Sequence, residues 1–131
     1  MKSVYLDYAA TTPVDREVIE SMLPFFGEIF ANPSSVHTPG QRARAAVEKT
    51  RSSAAALLGA AAEEIIFTSG GTESNNLAVK GLSAARRHLG DHIITSALEH
   101  TAVMRPGETL EREGVRIPRL YVDSQGFVDT R

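Results

Sequence analysis

The sequence predicts an α/β fold in which a parallel sheet is laid down strand by strand with helices between. Three observations carry this. Short apolar runs at 64–68, 92–96 and 115–122 alternate with longer stretches of helical periodicity. Two adjacent glycines, Gly70 and Gly71, stand where the first run gives way to a helical pattern. The composition is that of an ordinary globular chain, with 131 residues, 42% hydrophobic and 23% charged. No apolar run approaches the roughly 18–20 residues of a membrane span. With a net charge of -2, the chain lacks the positive excess of an obligate nucleic-acid binder. Cysteine is absent, which excludes disulfides, thiolate metal sites and cysteine nucleophiles within these residues. The opening Met1-Lys2-Ser3-Val4-Tyr5-Leu6-Asp7 reaches an aspartate too early for a secretory signal, so a cytoplasmic location is expected.

The elements follow in order. Residues 4–8 read as a short extended lead-in, and Ala10-Thr11-Thr12-Pro13 as a turn. Asp15 is a good N-cap for a first helix whose Val18, Ile19, Met22, Leu23 and Phe26 share a face. Pro24 and Gly27 end or kink it. The stretch 31–40, with Asn32, Pro33, Ser34, Ser35, His37, Pro39 and Gly40, has loop chemistry. A long helix over 41–58 places Ala43, Ala46, Val47, Ala54, Leu57 and Leu58 on its apolar stripe and stops at Gly59. Its basic residues Arg42, Arg44, Lys49 and Arg51 read as a solvated face, with Arg44 and Glu48 spaced for an i,i+4 pair. The run 64–68 is the first strand. A helix after Gly71 carries Leu77, Gly81, Leu82, Ala85 and Leu89 on one face. The run 92–96 is the second strand. A helix over 101–113 is disturbed by Pro106 and closed by Gly114, and 115–122 is the third strand, where Pro118 points to an edge or bulge. Asp123-Ser124-Gln125-Gly126 is a turn, and with no helix after it the architecture reads as interrupted at Asp129-Thr130-Arg131.

Three segments carry chemistry. In Phe67-Thr68-Ser69-Gly70-Gly71-Thr72-Glu73-Ser74-Asn75-Asn76 a strand ends, two glycines turn the backbone and a helix begins. Unpaired N–H groups and the positive end of the helix dipole make such a point an anion site, and Thr72 adds a hydroxyl. On local physics the alternative is equally open: a plain strand-to-helix turn with Thr72 as a cap. The spacing is neither the dinucleotide-binding fingerprint nor a P-loop. Glu99-His100 follows the second strand, at the sheet end where open α/β folds bind ligands. A neutral imidazole there can lie on an aromatic ligand or shuttle a proton, or simply be tied to backbone. Asn32-Pro33-Ser34-Ser35-Val36-His37 offers amide, hydroxyl and imidazole groups, or merely serves its own turn. His88 and His92 are four apart, but Gly90 and Asp91 break the helix that would align them on a metal.

Taken together, Tyr5-Leu6-Asp7-Tyr8-Ala9-Ala10-Thr11-Thr12-Pro13, Asn32-Pro33-Ser34-Ser35-Val36-His37, Thr68-Ser69-Gly70-Gly71-Thr72-Glu73-Ser74-Asn75-Asn76 and Glu99-His100-Thr101-Ala102-Val103 resemble, in this order, the motifs of cysteine desulfurases. Leu110-Glu111-Arg112-Glu113-Gly114 and Gly126-Phe127-Val128-Asp129 are similar too. The wording of the first and third motifs resembles the NifS/IscS type that serves iron–sulfur assembly more than the SufS type or the selenocysteine lyases.

The resemblance implies a fold-type-I, pyridoxal-phosphate-dependent homodimer of the class-V aminotransferase group. It would take sulfur from L-cysteine, release L-alanine and pass an enzyme persulfide to iron–sulfur scaffold or other acceptor proteins. Residue by residue, it implies that Gly71 and Thr72 bind the cofactor phosphate, that His100 stacks on the pyridine ring and assists proton transfer, and that Asn32 lies near the substrate entrance. It places 1–15 with the small domain and 16–131 at the start of the large cofactor-binding domain, whose three-layer sheet is incomplete here. The aspartate facing the pyridine nitrogen, the Schiff-base lysine and the persulfide cysteine belong to later parts of such enzymes, so these residues alone are expected to be inactive. Two alternatives stand beside this. One is another class-V enzyme, such as a selenocysteine lyase or an aminotransferase; the other is a truncated, non-catalytic partner protein. A lysine motif and a loop cysteine beyond residue 131 would separate the first, and a stop codon at that point the second.

Overall fold

A computed structural model describes residues 3–128. Lys2 and the end of the last motif, Asp129, lie outside the described residues. The chain divides into two compact units, one up to Ile66 and one from Phe67 on.

In the first unit the lead-in has no regular structure, and its turn sits earlier than expected. Asp7 O accepts from Ala10 N at 3.1 Å and from Thr11 N at 3.4 Å. The Tyr5 hydroxyl closes it by donating to Asp7 O at 2.9 Å. Helix α1 (Arg16–Met22) is capped by Asp15, whose carboxylate accepts from Glu17 N at 2.8 Å. Pro24 then opens a separate short helix, α2 (Pro24–Gly27). Helix α3 (Thr38–Leu58) begins three residues before the expected start, because His37 caps it: its Nδ1 accepts from Gly40 N at 3.2 Å. Gly59 ends it at φ 65°, the left-handed conformation that favours glycine at a helix end.

The inner face of α3 is Gly40, Ala43 and Ala55, flanked by half-buried Ala46, Val47 and Ala54. Leu57 and Leu58 are not part of it; Leu57 is 88% exposed. Glu48 pairs with Arg51, one turn on, instead of with Arg44. The run 64–68 does not form a strand. A 3-10 turn (Ala62–Glu64) precedes it, and the Ile65 carbonyl is taken by the Arg51 guanidinium. A strand exists only as one side of a ladder, and no strand pairs with this run among the described residues.

The second unit is built around helix α4 (Gly71–Arg86), strand β1 (Thr95–Ser96), helix α5 (Thr101–Arg112) and strand β2 (Arg119–Leu120). The strands pair in parallel, Thr95 with Arg119 and Ser96 with Leu120. The ladder continues backwards through Arg116 N to Asp91 O at 2.7 Å and Ile93 N to Arg116 O at 2.9 Å. Pro118 accepts from Thr95 N at 3.1 Å but has no N–H to return. One rung is therefore missing, and the pairing at His92 and Arg116 is left as an isolated bridge. Where the sequence pointed to an edge or bulge, the structure shows a lost hydrogen bond beside an edge strand of the described two-stranded sheet. A small hairpin closes the described chain, with Val122 opposite Val128 and the Asp123 carboxylate accepting from Gln125 N and Phe127 N.

Leu110, Val115 and Ile117 form the core here, with Val79 and Ile93 packed against them. Helix α5 presents Ala102, Pro106 and Leu110 inward at i, i+4 spacing, with Gly107 beside them. It runs through Pro106 without a break in assignment, and that ring is among the most completely buried side chains. The expected apolar face of α4 is largely exposed. Leu82 is 62% exposed and Val79 is the residue that reaches the core.

Candidate functional site

Val79, midway along α4, lies with Ile93, Thr95, Glu99 and Val103 around one hollow. The C-terminal half of α4, from Ala78 to Arg86, faces Gly90, Asp91, His92 and Ile93 at the start of the β1 strand run. The N-terminus of α4 therefore lies toward the far, carboxyl end of β1, where α5 begins. Gly71 and Thr72 open α4 and His100 opens α5, so three of the four expected site residues belong to one end of one unit. Asn32 lies in the other unit.

At the start of α4 the side chains tie down the turn and leave its donors free. The Glu73 carboxylate turns back and accepts from Ser69 N and Ser69 Oγ, both at 2.7 Å. These two bonds, the hydroxyl foremost, hold the Glu73 carboxyl below the usual carboxylate range. Thr68 Oγ1 and Ser74 Oγ lie 2.6 Å apart, and both reach the Gly70 carbonyl. The N–H groups of Gly71, Thr72 and Glu73 and the Thr72 hydroxyl have no acceptor among the described residues. That is the donor set a helix N-terminus offers an anion. Sequence reasoning quoted Glu73 and Ser69 within the motif without seeing their contact. The four-residue spacing of a serine and a glutamate around the glycine turn was the available signal.

At the start of α5, His100 is the N-cap, with Nδ1 accepting from Ala102 N at 3.1 Å. The connection from β1 is short and cross-tied: Ser96 Oγ donates to Glu99 Oε1 at 2.9 Å and accepts from Leu98 N at 3.3 Å. Ala97 N donates to Leu120 O at 3.2 Å, the last rung before the turn. His100, Gly71 and Thr72 are all exposed. Asn32 is exposed as well, and its side chain makes an Asx turn by accepting from Ser34 N at 2.8 Å.

The profile of the family described as Aminotransferase class-V matches residues 4–131. The chain belongs to this family. Among curated class-V relatives, a cysteine desulfurase IscS of Dictyoglomus turgidum is 55% identical over 128 residues, covering 98% of this chain and 32% of its own length. A solved structure described as a NifS-like protein superposes with a TM-score of 0.86 at 39% identity, over 96% of this chain and 35% of that one. Another, SspA in complex with cysteine, superposes with a TM-score of 0.82 at 43% identity, over 92% of this chain and 35% of that one. The chain thus spans about a third of the length of these proteins. The structural neighbours bear out the expected fold class, a part of the fold-type-I α/β architecture with a small parallel sheet. No helix among the described residues is long and apolar enough to cross a membrane.

Proposed function

We infer that this chain is the N-terminal part of a pyridoxal-phosphate-dependent cysteine desulfurase of the NifS/IscS type. The observation that carries the reading is the free donor set at Gly71, Thr72 and Glu73, at the sheet end that also bears His100. The set suits a phosphate dianion. It has three N–H groups, one hydroxyl and the positive end of a sixteen-residue helix, and the nearby Glu73 carboxylate is already engaged by Ser69. Gly71 and Thr72 would hold the phosphate and His100 would lie against the ring, while for Asn32 the family resemblance alone supports a place near the substrate entrance. When bound, the cofactor supplies an electron sink for carbanion chemistry at the amino acid. The names of the curated relatives, and the cysteine bound to SspA, support L-cysteine as the substrate, with L-alanine and an enzyme persulfide as products.

Residues 1–15 then belong with the small domain and 16–131 begin the large domain. The protein works as a cytoplasmic homodimer that hands sulfur to an iron–sulfur scaffold or another acceptor. The test is alanine release from L-cysteine by the full-length enzyme loaded with pyridoxal phosphate. Release of alanine with sulfide in the presence of a thiol is the expected result. An enzyme that instead exchanges amino groups between amino acids and keto acids overturns it in favour of an aminotransferase.

A further inference from the structure

Glu73 stands in the first turn of α4, the residue after Thr72. In a capping box a glutamate at this position reaches back to the N–H of the cap residue, here Gly70. Glu73 reaches one residue further. Its Oε2 accepts from Ser69 N and from Ser69 Oγ, both at 2.7 Å, and Gly70 N has no acceptor among the described residues. The carboxylate is thus spent on the residue before the turn, and the N–H groups of Gly71, Thr72 and Glu73 stay unclaimed by the one acidic side chain in that turn of helix.

The same bonds fasten the turn. They bridge Gly70 and Gly71, whose backbone no side chain restrains. Thr68 Oγ1 and Ser74 Oγ, 2.6 Å apart, bridge the two glycines a second time. Donors serve an anion best when they already point together before it arrives. A loose glycine pair would have to be ordered at each binding event, and that ordering weakens binding.

We propose that Glu73 is a positioning residue for the cofactor phosphate: by holding Ser69 it fixes the Gly70-Gly71 turn and keeps its own carboxylate off the N–H groups that the phosphate takes. This rests on the pyridoxal-phosphate reading given above. The Ser69 bonds also hold the Glu73 carboxyl below its usual range, so the group that grips Ser69 stays ionised at neutral pH. The sign of the effect separates this role from that of a bystander. If Glu73 were only a negative charge beside the site, its removal would tighten phosphate binding. A positioning residue does the reverse.

The test uses the full-length enzyme freed of cofactor. Equilibrium dialysis compares pyridoxal phosphate with pyridoxal, which lacks the phosphate. Glu73→Ala is expected to bind pyridoxal phosphate about tenfold more weakly than the wild type, with its affinity for pyridoxal unchanged. Glu73→Gln keeps an oxygen that accepts from Ser69 and falls between the two. Ser69→Ala, which leaves α4 whole, also weakens pyridoxal phosphate binding, and costs less in the Glu73→Ala background than it does alone. If Glu73→Ala does not fold, Glu73→Gln and Ser69→Ala carry the comparison. Unchanged or tighter binding of pyridoxal phosphate by these variants overturns the proposal. So does an equal loss for both compounds, which marks general damage to the fold, and so do additive losses in the double variant. A wild type that prefers pyridoxal phosphate, with a Glu73→Ala variant that keeps the preference in full, leaves the cofactor reading standing and removes the positioning role alone. A wild type that binds the two compounds equally overturns the phosphate cradle and the role of Glu73 with it.

Discussion

Gly40 shows how much one missing methyl can matter. A Cβ there would lie 2.5 Å from Ser35 O, 2.7 Å from Ser35 Cβ and 2.9 Å from Asn32 O, so the Asn32 turn docks against α3 only because this residue has no side chain. Gly40→Ala is expected to cost about 1–3 kcal/mol, because the clash is with backbone that cannot rotate away. A denaturant midpoint equal to wild type would show that the loop shifts freely. At the phosphate cradle, Thr72→Val removes a hydroxyl from a charged ligand, a loss of about 1.5–3 kcal/mol, or roughly ten- to a hundredfold in cofactor affinity. Unchanged affinity in a pyridoxal phosphate titration of the full-length protein would take Thr72 out of the site. The Gly70-Gly71 turn into α4 was legible in the sequence, because adjacent glycines after an apolar run mark a turn. Gly40 was legible only as loop composition, since its neighbour Ser35 approaches through a fold that no local pattern encodes.

Elements are joined here by charge as well as by packing. Arg119 on β2 grips Glu111 on α5 with a two-pronged pair, Nη1 to Oε1 at 3.0 Å and Nη2 to Oε2 at 2.7 Å. The Arg119 hydrogen bonds hold the Glu111 carboxyl below its ordinary value of 4.5. Asp91, facing Arg116 at 2.8 Å, is lowered from 3.8 in the same way. A carboxylate whose folded pKa is depressed lends stability that is complete above its unfolded pKa and is lost as pH falls through the folded one. The window for the Glu111 pair therefore opens below 4.5. Glu111→Gln should lower the neutral midpoint and flatten that part of the acid-unfolding curve by the same amount, a small one for so exposed a pair. A curve that superposes on wild type through the acid range would show the pair contributes nothing. Packing is a larger effect. Leu110 is 5% exposed at the centre of the core cluster, so Leu110→Ala should cost about 2–5 kcal/mol. Leu82→Ser, at a position of α4 that is 62% exposed, should be near neutral in the same chain, and a denaturant series comparing the two checks that burial sets the cost.

At the scale of the whole chain, the apolar surface is the dominant fact. Leu6, Phe26, Phe30, Leu57 and Leu89 all stand in the open, and the edge of β1 away from β2 meets no strand among the described residues. Exposed apolar area and open sheet edges favour self-association. The 131-residue chain expressed by itself should sediment as a broad distribution of large species, and a sharp monomer boundary would contradict this. The same chain should not fix pyridoxal phosphate at one lysine. Lys49 lies on the exposed side of α3. Lys80 is eight residues past Thr72, about 12 Å down α4 from the cradle at the usual rise per residue. Borohydride reduction of a mixture with the cofactor, read by intact mass, should give scattered partial labelling. A single stoichiometric adduct on one lysine, blocked by a substrate amine, would overturn this.

What the sequence by itself determined was local and periodic. Asp15 and Gly59 bound their helices as their chemistry requires, the Gly70-Gly71 turn opens α4, and 92–96 and 115–122 run side by side in parallel. The ordered motifs point to the family whose profile matches residues 4–131. Tertiary structure decided what depends on neighbours. The run 64–68 has the composition of a strand but joins no strand ladder among the described residues, and Ile65 spends its carbonyl on Arg51. The leucines of α4 have the spacing of a core face, yet Val79 does the packing, because a helix stripe is buried only where another element meets it. His37 and His100 become helix caps through their Nδ1 atoms. Histidine is not a residue whose type announces a cap, and only the path of the following backbone brings an N–H to its ring.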